Sequence, residues 1–247
     1  MTRPPDPALD PGRRRSIVRD GLAVGVATGA YGLSFGAIAV TSGLDVWQAC
    51  ALSLLAFTGA SQFALVGVVG AGGAPLSGMV AGLLLGTRNT LYGLRLSTLL
   101  GFRGWRRPAA AHLVIDESTA MSVTRESSQA ARVGFLATGL SVFVLWNLAT
   151  FIGALAGHAL GDPKAWGFDS AVGGAFLALL WPRLKDRRNQ LCAVLAVALA
   201  LVLVPVVPAG VPVLAAGVVA LGLGLVGRGD DPTEVPAQHD LPEGGRG

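Results

Sequence analysis

Seven stretches of this chain are apolar over lengths close to what a lipid bilayer requires, and this restricts the fold more than any motif does. Their approximate limits are 21–44, 47–70, 75–100, 134–160, 168–182, 190–207 and 209–227, and a helix needs about 20 residues to span the hydrocarbon layer. Only 14% of the residues are charged, against about 25% in average usage. Glycine supplies 35 of the 247 residues. It recurs at spacings of four in Gly21, Gly25 and Gly29, in Gly32 and Gly36, and in Gly153, Gly157 and Gly161. Small residues at that interval let membrane helices pack backbone to backbone. The expectation is an all-α polytopic membrane protein with about seven (seven or eight) transmembrane segments, including broken or re-entrant helices. Residues 1–20 read as a disordered basic cytoplasmic N-terminus, 21–227 as a transmembrane transporter domain, and 228–247 as a disordered C-terminal tail. The first run is too long for the apolar core of a signal peptide and lacks a persuasive cleavage site.

Several function classes fall away on composition. Cys50 and Cys192 both lie in apolar runs, and His112, His158 and His239 show no ligand spacing, so neither a disulfide framework nor a metal site is expected. No cofactor is implied. A sequence pI near 9.7 invites a nucleic-acid reading, but the arginines cluster beside apolar runs. That pattern is the positive-inside signature of a membrane protein. Trp47, Trp105, Trp146, Trp166 and Trp181 mostly lie near segment ends, where aromatic belts form.

The charges also set a topological problem. Arg183, Lys185, Arg187 and Arg188 form a basic loop that should face the cytoplasm, as should Arg13-Arg14-Arg15 and the group Arg103, Arg106, Arg107, Arg125 and Arg132. Three full crossings between 21 and 100 give the wrong parity for all of these. The sequence therefore predicts an irregular crossing between 75 and 133, either a re-entrant Arg88 segment or a short extra helix over Pro108–Thr124. A faint echo links Gly43-Leu44-Asp45 and the run after it to Gly167-Phe168-Asp169 and its run. Two related halves would suit a transporter, in which repeats meet at a midplane site.

Polar residues inside these runs mark a candidate solute site. Thr58, Ser61 and Gln62 share one helical face beside Gly59 and Ala60. They can cradle a zwitterionic or carboxylate-bearing solute, or simply join helices by hydrogen bonds. A half-helix N-terminus there would add amide donors and positive dipole. Arg88, Tyr92 and Arg95 form a second stripe, with Asn89 at its side. A guanidinium at membrane depth is a fixed cation that can grip a carboxylate with two donors, whereas Arg95, nearer the segment end, suits snorkelling to the interface. Asp116 and Glu117 can pair with Arg88 or Arg95, carry a coupling proton, or sit in a solvated loop. Gly32-Leu33-Ser34-Phe35-Gly36 matches a hydrolase elbow, but no strand or acid–base pair accompanies it. Its more useful meaning is a flexible point, a helix break at Ser34 and Gly36. Gly222-Leu223-Gly224-Leu225-Val226-Gly227 lacks the βαβ setting of a dinucleotide site.

Taken in order, Leu33-Ser34-Phe35-Gly36, Phe57-Thr58-Gly59-Ala60-Ser61-Gln62-Phe63 and Leu84-Leu85-Gly86-Thr87-Arg88-Asn89-Thr90-Leu91-Tyr92-Gly93-Leu94, with the pair Asp116-Glu117, resemble the AzlC (LIV-E) family of branched-chain amino-acid exporters. The resemblance covers roughly residues 18–160. It implies a secondary transporter of the bacterial cytoplasmic membrane with a cytoplasmic N-terminus, not an enzyme. It further implies cargo of Val, Ile and Leu, with Met in some members, a proton gradient as driving force, and a small AzlD-like membrane partner subunit. Many relatives carry His after the arginine, and Asn89 here departs from that pattern, which speaks against a proton relay at this position. The substrate-binding set expected is Thr58, Gly59, Ser61, Gln62, Arg88, Asn89 and Tyr92, with Asp116 and Glu117 for coupling or ion pairing. Two other classes compete: a non-transporting membrane assembly subunit, which would give no solute flux, and the permease component of an amino-acid importer, for which the chain has no recognisable coupling loop. An intramembrane hydrolase would depend on Ser34.

Overall fold

The computed structural model describes residues 9–159, 177, 181, 184–207 and 211–226, and among them there is no strand. The chain enters through α1 (Pro11–Gly29), which Pro11 opens from an Asp10 N-cap whose carboxylate accepts from Arg13 N at 3.1 Å. Proline is tolerated there because the first helical N–H has no partner in any case. The expected disordered tail is therefore helical from Pro11 onward. It is also tethered, by an Arg13–Glu126 ion pair at 2.8 Å and by Leu9 N donating to Gln129 at 2.8 Å.

After a single turn at Ala30 the chain continues as α2 (Tyr31–Thr41). The irregular point lies at Ala30, not at Ser34 and Gly36, which are ordinary positions inside α2. Ser34 consequently lacks the strand-to-helix turn that a hydrolase elbow needs. The reason for the glycines is proximity. A Cβ placed on Gly36 would lie 2.0 Å from Thr150 O, and one on Gly153 would lie 2.0 Å from Leu33 O. Gly25 meets Ser141 and Gly29 meets Leu145 in the same way. Partner numbers rise together, so α1 and α2 run parallel to the long helix α8 (Ser128–Ala159).

The second apolar run is broken. Asp45 and Gln48 form a capping box that starts α3 (Val46–Leu55), and the helix stops before Phe57. The next helix, α4 (Ala60–Gly70), begins at Gly59, whose φ of 58° is available to glycine without strain. Gly70 comes back beside Ser42, with 2.6 Å from its ideal Cβ to Ser42 Oγ. The α3–α4 pair thus enters the molecule and returns to the same end, with its tip at residues 56–59.

The following helix, α5 (Pro75–Leu100), is continuous for 26 residues, about 39 Å at 1.5 Å per residue. It packs antiparallel to α4, Gly78 on Leu65 and Gly82 on Ser61. Arg88 therefore sits on an unbroken helix, which removes the re-entrant Arg88 segment. The irregular passage within 21–100 is α3–α4 instead. The other alternative, a short helix over Pro108–Thr124, appears as two: α6 (Arg106–His112) and α7 (Asp116–Val123). Leu113 packs at Gly139 and Met121 at Gly134, so α7 runs antiparallel to α8, back to the end where Arg125 faces Asp20 at 3.8 Å. This second hairpin enters from the opposite end to the first. His112 Nε2 lies 2.9 Å from Leu54 O, where the two tips meet.

The remaining helices α9 (Arg187–Leu203) and α10 (Val211–Val226) pair with each other, and α10 touches α5. The expected segment 168–182, the echo beginning at Gly167 and the tail 228–247 lie outside the described residues, apart from the exposed Leu177 and Trp181. Among the described residues, two stretches, Pro11–Thr41 and Ser128–Ala159, combine the length and apolarity needed to cross a membrane, and α3 and α4 are shorter apolar helices.

The close crossing of α2 and α8 gives a direct expectation. Gly36→Ala should destabilise the protein by about 1–3 kcal/mol or more, because a methyl group there meets backbone that cannot move aside. Gly93→Ala, whose Cβ meets nothing within 4 Å, should be neutral or stabilising by up to about 1 kcal/mol. Thermal unfolding of the detergent-solubilised variants, followed by loss of the monodisperse peak, compares the two.

Candidate functional site

The two helix interruptions face each other across a cavity of about 340 Å³, within the range of about 300–1,000 Å³ common for small-molecule sites. Its wall includes Thr58, Gly59 and Ala60 from the first tip, Ile115, Asp116 and Glu117 from the second, and Leu85, Arg88 and Asn89 from the middle of α5. Val142 and Trp146, midway along α8, and Thr28 and Tyr31 at the α1–α2 turn complete it. Phe57 and Phe63 belong to the same wall. Phe63 also packs edge-on against Phe35 at 5.4 Å, and Phe35 stacks on Trp146 at 6.1 Å.

The polar end is built from Arg88 and Asp116, joined at 3.0 Å, each side chain 28% exposed. Arg88 is placed by the continuity of α5, and Asp116 by the helix start that follows the 113–115 break. An acid in the first turn of α7 also answers the positive end of that helix. Glu117 stands in the same turn. The opposite helix start is different. Gly59 offers no side-chain cap to the first amides of α4, and the leading N–H groups of a helix have no intrahelical acceptor. An uncapped helix start beside a cavity is suited to an anionic group.

Among the described residues, Thr58 Oγ1, Asn89 Oδ1 and Trp146 Nε1 of the wall are buried without a hydrogen-bond partner. A buried polar group left unpaired costs about 1–3 kcal/mol, so each is a place where a polar ligand gains. Among these, Trp146 escapes the sequence reading. It is only 5% exposed and lies mid-helix, so it is no interfacial belt residue. The sole hint in the sequence is its position near the centre of the fourth apolar run.

Not every expected residue reaches the cavity. Thr58, Gly59, Arg88, Asn89, Asp116 and Glu117 do. Gln62 points away, its Nε2 donating to Leu52 O at 3.2 Å as a second bond beside the one from the Ala56 amide, which ties the start of α4 to the end of α3. Ser61 packs toward α5 at Gly82 and Gly86. Tyr92 packs on the hydrophobic core, and Arg95 is exposed. Thr58 shares a face with Ser61 and Gln62 only if one helix runs through all three. Because α4 starts only at Ala60, Thr58 belongs to the loop and the grouping dissolves.

Fold and site together define an all-helical membrane protein whose two interrupted hairpins converge on a charged internal cavity. The profile of the family described as AzlC protein matches residues 23–160, and the chain belongs to the AzlC family, a membrane family associated with amino-acid transport and not with enzymatic activity. The chain is similar to an uncharacterized membrane protein of Helicobacter pylori (strain ATCC 700392 / 26695), 26% identical over 174 residues, covering 69% of this chain and 75% of that protein. It is also similar to an uncharacterized membrane protein of Archaeoglobus fulgidus, 32% identical over 181 residues, or 72% of this chain and 79% of that one. No solved structure matches.

The ion pair can be tested apart from any function. Removing one partner leaves the other charge uncompensated in a half-buried site. Arg88→Ala and Asp116→Ala should therefore each destabilise more than half as much as the double variant, with a coupling of about 0.5–3 kcal/mol. Denaturation midpoints of the four proteins of the cycle supply the number.

Proposed function

We propose that this protein is a secondary transporter that exports branched-chain amino acids, Val, Ile and Leu with Met as a further candidate, across the bacterial cytoplasmic membrane. The observation that carries the reading is the cavity itself. It offers a cation, an anion and an uncapped helix start around one volume, with aromatic and aliphatic walls beside them. A zwitterionic α-amino acid presents the complementary set. Its carboxylate fits Arg88, bidentately, or the free amides of Ala60 and Ser61, as a carboxylate suits both guanidinium and helix start. Its ammonium fits Asp116 or Glu117. Its apolar side chain fits among Phe57, Phe63, Val142 and Trp146.

In this reading the α3–α4 and α6–α7 hairpins are re-entrant segments that approach the midplane from opposite faces, and each is followed by a long crossing helix, α5 or α8. The order hairpin then helix occurs twice with inverted direction, the organisation that places a transporter's site between repeats. If the run 168–182 also crosses, six crossing segments and two re-entrant hairpins make eight membrane segments, the upper of the two expected numbers. Arg13, Arg125 and Arg132, with Arg103, Arg106 and Arg107, gather at the end where α1 and α8 begin and α5 finishes, so that end faces the cytoplasm. Coupling to protons falls to Asp116 or Glu117, since protonating either releases a charge from the polar end of the site. A small AzlD-like subunit completes the working unit, and the exposed apolar flank of α5, Leu83, Leu84, Leu91 and Leu94, is available for lipid or for that subunit.

Cells loaded with dipeptides of Val, Ile, Leu or Met, with and without the small subunit, give the decisive efflux measurement. Arg88→Ala should reduce efflux at least tenfold at unchanged membrane abundance, whereas Arg95→Ala should retain most of it. Equal efflux in wild type, Arg88→Ala and empty cells removes the exporter assignment.

A further inference from the structure

A second, larger cavity of about 790 Å³ adjoins the first and is not used by the site just described. It lies along the lower half of α5 and against α6. Its lining includes Thr90, Gly93 and Ser97 on one stripe of α5, Ala110 and Ala111 on α6, and Arg103 and Arg107 beyond the end of α5. Two features connect it to the inner cavity. Asn89 lines both, and Val114, in the wall of the large cavity, is the chain neighbour of Ile115, in the wall of the small one. Along α5 the order Leu85, Arg88, Asn89, Gly93, Ser97 is one continuous face that passes from the inner cavity to the outer.

We infer that the outer cavity is the route by which solute passes between the basic end of the molecule and the inner site, with Asn89 and the Val114–Ile115 break as its neck. Three observations support this. The outer cavity ends at Arg103 and Arg107, both exposed, and arginines at the rim raise the local concentration of a solute carrying a carboxylate. Its lining mixes hydroxyls with buried apolar side chains, Leu96, Leu100 and Phe135, so neither end of an apolar amino acid is excluded. The neck is made of one side chain whose Oδ1 has no partner and of a helix interruption. Both can move without breaking a regular helix, as hinges do. At Gly93 the route is open, since a Cβ would meet nothing within 4 Å, so only a bulky side chain placed there can fill it. The inference rests on the inner cavity being the solute site, and the passage is then part of the transport path.

The test uses the whole protein in sealed vesicles and needs no knowledge of the solute. With Cys50 and Cys192 replaced by Ser, a single Ala60→Cys reports on the inner cavity. A small membrane-impermeant anionic methanethiosulfonate, whose charge matches the arginine rim, is added to inside-out or right-side-out vesicles, and the modification rate is measured. Reagent added at the face bearing Arg103 and Arg107 should modify Ala60→Cys, and adding Gly93→Phe should slow that reaction at least tenfold. Leu83→Phe, at an exposed position that lines neither cavity, should leave the rate unchanged. Ala111→Phe plugs the same space from α6 and serves if Gly93→Phe fails to assemble. An unchanged rate in both plugged proteins, modification only from the opposite face, or none from either face overturns the route. Those outcomes leave the inner site untouched, whereas normal efflux by Arg88→Ala would remove the site while the accessibility result stood.

Discussion

A backbone that stops being helical inside an apolar core must find partners for the N–H and C=O groups it releases, and the rest of this structure is arranged around that requirement. Each freed group left unpaired in a dry interior costs several kcal/mol. At the first tip, the released Leu54 O faces His112 Nε2, and Gln62 Nε2 adds a second hydrogen bond to Leu52 O, which the Ala56 amide already meets. At the second, Ser118 Oγ accepts from Ile115 N and lies within hydrogen-bond distance of Leu113 O and Ile115 O, at 2.7 and 3.2 Å. One hairpin thus supplies a partner to the other through His112, and the pair of tips is stable only where they meet. Their meeting point, midway along α5 and α8, is where the cavity forms.

Bringing two hairpins to that depth leaves little width for the helices around them. The glycine stripe on α1 and α2 answers this by letting α8 approach until backbone touches backbone. Van der Waals contact of that kind is what holds helices together where lipid offers no hydrophobic gain. It also explains why Ser141 Oγ reaches and donates to Gly21 O at 3.0 Å, while on α3 a second small hydroxyl, Ser53 Oγ, lies 3.3 Å from Thr150 Oγ1. At such distances a small hydroxyl is enough to bridge two helices. The parallel α1–α2–α8 slab forms one wall, α5 the other, and the hairpins fill the gap.

Much of this was legible in the residues and some was not, for identifiable reasons. The helical class followed from apolar length and low charge, whereas Gly59 among polar residues permits a half-helix start without marking the break there rather than at Ser34 and Gly36. Parity arithmetic on the arginines correctly demanded an irregular passage but assigned it to 75–133. In the structure the pair 46–70 reverses as well, because counting charges sees only the ends of crossings and not which one folds back. Ser34 and Gly36 suggested a break because glycine permits one, yet the same residue also permits close packing, and only the identity of the neighbour, Thr150, decides between them. Tyr92 shares a stripe with Arg88, but the cavity faces the residues one turn earlier. Trp146 carried no signal beyond being an aromatic mid-run, since its partner across the cavity, Gly59, is far away in sequence.

The two helix starts at the cavity differ in one respect that gives the site a direction. Both α4 and α7 point their N-termini inward, so each brings a partial positive charge of about half a unit. On α7 that charge is met by the helix's own Asp116 and Glu117, and Asp116 is in turn held by Arg88. On α4 the corresponding place is occupied by Gly59, which brings no acid, no hydroxyl and no side chain to close the space, the nearest atom to its would-be Cβ being Trp146 Cη2 at 3.8 Å. The electrostatics of the cavity are therefore lopsided, with anions on the α7 side and open amides on the α4 side. A neutral apolar molecule gains nothing from that asymmetry, and a simple anion gains from one end only. A molecule carrying both charges gains from both, and the proposed amino-acid cargo draws on that asymmetry.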